Sequence, residues 1–201
     1  CWMRRLAMIL ALAFLLPVDG DSRAQPEGQW IAGKLLVAAP SMPDPRFRQT
    51  VIFVCEHDQH GAFGLILNRP LGELPGRKVA NQLALGVEGS DTPIALHWGG
   101  PVEPKRGFVL HSDDYVNDDT GRVKPGFAYS VDLELLRALV TDQGPESAIL
   151  ILGYAGWGPG QLFSELARDD WLVLPAESDF VFHGERDSMW QTAIDSFGVE
   201  L

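Results

Sequence analysis

Apolar residues along this chain fall into two rhythms, and the switches between them mark the elements. The stretch GKLLVAAP, residues 33–40, is a continuous apolar run that predicts a buried strand. It gives way to PSMPDPRF, where Pro40, Pro43 and Pro45 fix φ and withhold amide donors, so an extended connection outside the sheet is expected. TVIFVC is rich in β-branched and aromatic residues. AFGLILN follows it across HDQHG, and together they predict a hairpin. NRPLGELPGR reads as a turn-rich exit, and VANQLAL as a helical turn or two with Val79, Ala80 and Leu83 facing inward.

TPIALHW and GFVLHS predict strands on either side of GGPVEPKR, where Gly99, Gly100 and Pro101 turn the chain. FAYSV is a further short strand. DLELLRALVTDQG has the helical period, with Leu133, Leu136 and Val140 on one stripe, Asp132 at the N-cap and Gly144 beyond the end. SAILILGYAGW is apolar throughout, as a central strand buried on both faces should be. GPGQLFSELARDD starts a helix, and WLVLPA and DFVFH read as short strands. DSMWQTAIDSFG closes the chain with a helix carrying Met189, Trp190, Ala193, Ile194 and Phe197 on one side. Strands and helices alternate irregularly, which predicts a single α/β domain with a mixed sheet.

The N-terminus follows another logic. From Met3 it runs Arg4, Arg5, an apolar segment from Leu6 to Val18, and then the small residues Ser22 and Ala24 ahead of Gln25. That is the layout of a secretory signal peptide, too short for a stable membrane span. The expected organisation is a signal peptide over residues 1–24, a linker over 25–32 and one domain over 33–201. The expected location is the periplasm, with the cytoplasm as the alternative. Cleavage would leave Cys55 as the one cysteine, so no internal disulfide is expected and the fold must rest on its core.

Charge narrows the partners. The 201 residues carry a formal net charge of −11, and no basic run exceeds two residues. Removing residues 1–24 takes three basic and two acidic residues and leaves the chain more acidic still. Nucleic-acid affinity comes largely from Lys and Arg displacing counterions, so direct DNA or RNA binding is not expected.

Candidate chemistry gathers in two places. In VIFVCEHDQHG, strand alternation places Cys55 and His57 on one face and Glu56 on the other. Val51 and Phe53 share the face of Cys55, which favours a buried, structural sulfur. A thiol-dependent redox or hydrolytic activity, with His57 as base, is the rival reading. The spacing from Cys55 to His57 and His60 is not a usual zinc arrangement, so no metal and no cofactor are expected. The second place pairs WGGP (Trp98, Gly99, Gly100, Pro101) with GWGPGQ (Gly156, Trp157, Gly158, Gly160, Gln161). Its glycines permit close backbone approach and its tryptophans offer aromatic anchors, so it is the candidate surface for a protein partner or small ligand. The plain reading is that both tryptophans are core. His97, His111 and His183 lie on or beside predicted strands and read as hydrogen-bonded structural residues.

Taken in order, GKLLVAAPSMPDPRF, TVIFVCEHDQHGAFGLILNRP, GGPVEPKRGFVLHS, GYAGWGPGQL and the closing W…A…FG resemble the YqgE/AlgH family of bacterial proteins over about residues 30–200. The resemblance implies an α/β fold with a bifurcated, partly barrel-like sheet flanked by helices. It brings no established catalytic residues, and some members carry the label of transcriptional regulator. Nothing in this chain resembles a DNA-reading helix-turn-helix, so a regulatory role would be indirect. Two departures stand out: the export-like N-terminus, and Phe163 where the family commonly has an acidic residue after GQL.

Overall fold

A computed structural model describes residues 30–198; the expected signal peptide and most of the expected linker lie outside them. Fifteen elements follow in the order β1 (Lys34–Ala38), β2 (Val51–Asp58), β3 (Gly61–Ile66), β4 (Pro70–Pro75), α1 (Gly76–Gln82), β5 (Pro93–Trp98), β6 (Val102–His111), β7 (Gly121–Lys124), β8 (Phe127–Ser130), α2 (Leu133–Val140), β9 (Ala148–Trp157), α3 (Gln161–Leu166), β10 (Trp171–Pro175), α4 (Ser178–His183) and α5 (Met189–Ser196). The domain is mixed α/β, as the sequence predicts.

The sheet runs β10-β1-β2-β3-β9-β6-β8-β7, and it forks at β9. One edge of β9 pairs with β6 along most of its length. The other edge is shared: residues 155–157 pair antiparallel with β3, and residues 150–152 pair parallel with β5. β4 then hangs from β5. The fork is the bifurcation that the resemblance implies, and the sheet does not close into a barrel.

Three cores fill the spaces around this fork. The largest lies between the β1–β2–β3 wing, the β6–β8–β9 trunk and helices α4 and α5, and holds Phe53, Leu110, Ile149, Ile151 and Trp190. A second covers the other face of the wing, under Ile31, the proline-rich loop and α3. The third lies between the trunk and the pair α1 and α2. β9 reaches all three, Ile149 and Ile151 in the first, Leu150 in the third, and Ala155 and Trp157 in the second, which is why its sequence is apolar without alternation.

The structure corrects several element readings. NRPLGELPGR contains β4, an edge strand with proline at both ends, where a missing amide donor costs nothing. The short strand β7 has no counterpart among the expected elements. DFVFH is the helix α4, not a strand. Its adjacent Val181 and Phe182 are both buried, and the Arg186 guanidinium caps its end by donating to the carbonyls of Val181 and Phe182 at 2.8 Å each. His183 therefore ends a helix. Leu83, Leu133 and Phe197 point to solvent, each at or beyond the end of its helix, where the apolar stripe has no core left to face. Asp132 does cap α2, its carboxylate accepting from the Leu135 amide at 2.8 Å.

Candidate functional site

The β2–β3 hairpin forms as predicted, but its pairing shifts between Val54 and Glu56. A bulge places two consecutive side chains on one face, and it reverses the alternation beyond it. Cys55 stays with Val51 and Phe53 in the large core. Glu56 turns to the same side and accepts a short hydrogen bond from the Tyr129 hydroxyl. His57 goes to the opposite face, where its Nδ1 accepts from the Ile31 amide at 3.3 Å. Its ring packs against Trp30 and Phe163, with centroids 5.0 and 4.8 Å away. The expectation that Cys55 and His57 share a face is therefore wrong, and the reason is the bulge.

Burial governs both groups. It pushes the Cys55 thiol well up, with the Glu56 charge adding to the effect. Burial pulls His57 down, against a weaker opposing influence of Asp58. A protonated thiol without a base is not a nucleophile. Phe163 packs against both His57 and Trp30. Among the described residues no three of His, Cys, Asp and Glu converge in a way that could hold a metal ion.

WGGP runs against β9 just ahead of GWGPGQ, and the two segments reach the same core and the same cleft. The strand entry at Val102 pairs with Tyr154, and the Gly99 amide donates to Leu152 at 2.8 Å. A side chain at Gly99 would overlap the Gly153 carbonyl, and one at Gly100 the Tyr154 carbonyl. These two glycines thus serve contact within the protein, and both are buried. Trp98 is half-buried against the wing core, and Trp157 is part of it.

What remains open is a cleft of about 250 Å³ beside them. Pro101, Gly156, Trp157 and Gln161 line one side, and Pro43, Arg46 and Phe47 of the proline-rich loop line the other. Gly158 and Gly160 lie in the turn that leads to Gln161, and neither lines the cleft. Gly160 has φ 71°, and it swings the chain from β9 into α3.

Glu165 organises this cleft. One carboxylate oxygen accepts from two indoles, Trp157 Nε1 and Trp171 Nε1, both at 2.8 Å. The other accepts from Gln161 Nε2 at 2.9 Å, while Gln161 Oε1 accepts from the Gly158 amide at 3.1 Å. One side chain thereby ties β9, α3 and β10 together. At the far end Arg168 donates to the buried Asp170 carboxylate at 2.7 Å. The sequence reading passed over Glu165. Its signal was there, because a tryptophan in an apolar run needs an acceptor for its N–H, and Glu165 stands one helical turn after Gln161.

His97 and His111 are buried, whereas His60 and His183 are exposed. His111 Nε2 lies 3.0 Å from Ser130 Oγ and its Nδ1 2.8 Å from the Ser112 carbonyl oxygen, and both residues of the His–Ser pair are almost fully buried. His97 is 3% exposed and its Nδ1 has no partner.

Comparison with known proteins places this geometry in context. The family model described as AlgH-like matches residues 35–201. A UPF0301 protein of Jannaschia is 41% identical over 172 residues, covering 85% of this chain and 90% of that one. A UPF0301 protein of Methylococcus capsulatus is 42% identical over 177 residues, covering 88% and 97%. The solution structure of the AlgH protein from Pseudomonas aeruginosa superimposes with a TM-score of 0.72 at 35% identity, over 88% of this chain and 93% of that one. A crystal structure of a Corynebacterium diphtheriae protein gives 0.64 at 26% identity, over 83% and 86%.

Proposed function

The chain belongs to the AlgH-like family, and from that premise we propose that it works as a non-enzymatic binding module whose contact site is the cleft between the proline-rich loop and α3. The observation that carries this reading is the Glu165 clamp. Two indoles and a glutamine held by one carboxylate give a rigid, partly apolar wall, and ordering it on binding costs little entropy. Exposed Arg46 and Gln161 supply a polar rim around it. Nothing in the geometry favours the rival thiol activity, since Cys55 and His57 face opposite ways. A regulatory role would act through a protein partner or small ligand at this cleft and not on DNA, in keeping with the charge of −11.

The test is affinity purification with two rim variants, Arg46→Glu and Gln161→Arg, and with Glu134→Arg on the distant α2 as control. The rim variants lose partners that the wild type and the control both retain. Retention of every partner by both rim variants would contradict the reading. The N-terminal pattern supports export as the setting for this binding. N-terminal sequencing of fractionated cells tests it: a start at Gln25 in the periplasmic fraction is expected, and an unprocessed cytoplasmic chain would oppose it.

A further inference from the structure

A second concavity, of about 480 Å³, opens between β3, β6, β8 and the loop ahead of β7. It shares no residue with the cleft described above. Four rings build its walls. Phe63, Phe108, Tyr129 and Tyr154 pack on one another with centroids 5.2–5.9 Å apart, mostly edge to face. Such faces carry the negative end of the ring quadrupole and attract cations. The β2 bulge turns Glu56 into this space, where the Tyr129 hydroxyl donates to one of its carboxylate oxygens. Asp118 and Asp119 stand exposed at the mouth.

The charges do not balance. Three carboxylates line the pocket against one guanidinium, that of Arg106. Arg106 is already engaged outside, donating to Glu103 at 2.9 Å, while its carbon Cζ lies 5.2 Å from the centre of the Phe108 ring. The chain's own cation thus sits against one of the aromatic walls. The volume is in the range that holds a small molecule. An anion entering here would meet three carboxylates, and a neutral apolar ligand would strip water from Glu56 without replacing it.

We propose that this pocket binds a small organic cation, a guanidinium, amidinium or alkylammonium group on a slender apolar body, with Glu56 as counter-ion and the four rings as its cage. The site stands independently of the partner cleft.

Benzamidine is the probe, titrated into the full chain and followed by NMR shifts and tyrosine fluorescence, with neutral benzamide and anionic benzoate beside it. Benzamidine binds saturably, more weakly as salt rises, and at least about tenfold more tightly than either analogue. Glu56→Gln, which keeps an acceptor for Tyr129, lowers benzamidine affinity by about tenfold or more. The loop variant Asp118→Asn/Asp119→Asn lowers it by a few-fold without touching the core. Equal binding of benzamide and benzamidine would overturn the proposal. So would unchanged affinity in both variants, or failure of benzamidine to saturate the wild type.

Discussion

The sulfur of Cys55 shares its core with Val51 and Phe53, and desolvation keeps it protonated at neutral pH. Alkylation of the native protein should therefore be slow and limited by unfolding. Iodoacetamide labelling timed against denaturation checks this, and rapid labelling near pH 7 would contradict it. Cys55→Ser buries a hydroxyl among hydrocarbon and should cost about 1–3 kcal/mol in a urea melt. His97 provides a test by pH. Burial first, and the Arg186 charge second, lower its pKa to about 4 in the folded chain, below the ordinary value of 6.5. The unfolded chain then binds more protons than the folded one between those values, so stability is intact above about pH 6.5 and falls as pH drops toward 4. His97→Gln should flatten part of that loss, and the remainder belongs to His57 and His111, which burial also lowers. At this scale alternation is a sufficient guide to Cys55, because the row Val51, Phe53, Cys55 is unbroken. It misplaces His57 because a bulge depends on the partner strand, which the local sequence does not contain.

The cleft wall depends on how three elements are tied. Removing the carboxylate with Glu165→Ala leaves the indole N–H groups of Trp157 and Trp171 without their acceptor. The expected cost is about 2–4 kcal/mol, read as a lower midpoint of urea denaturation; Glu165→Gln, which keeps one acceptor oxygen, should cost less than half of that. A loss within about 0.5 kcal/mol for the alanine variant would mean that the clamp does not hold the wall. Asp132→Ala, which uncaps α2, should cost about 1 kcal/mol in the same measurement. The elements legible from pattern are those whose own residues determine them, such as the doubly buried β9 and the periodic, capped α2. β4 is obscured because its prolines and glycine are tolerated only at an edge, and edge status is a property of the sheet. DFVFH carries a short run of consecutive apolar residues, which suits a buried strand and a helix equally, and it folds as the helix that Arg186 caps.

Across the whole molecule, β9 is the hinge of the architecture, shared by the β3 wing, the β5 branch and β6. Hydrogen exchange should be slowest in its central residues, while β4, β7 and β10, which each pair on one side only, exchange fastest among the strands. Equal protection in β4 and β9 would show that the fork is not the stable centre. The parallel β5–β9 pairing could not be derived from local pattern, since residues 96–98 and 150–152 meet only through the intervening fold. The likeness of five ordered segments to a known family carried the bifurcated sheet where periodicity could not. The pairing of WGGP with GWGPGQ rests on their own glycines and tryptophans, although Gly99 and Gly100 close an internal seam and the open surface is the cleft beside it. The most direct test of that cleft is a photo-crosslinking amino acid at Gln161 in living cells, compared with one at Glu134 on α2. Adducts that form from position 161, are missing from 134 and disappear with Arg46→Glu are the predicted result. The same adducts from both positions, or none from 161, would contradict the account.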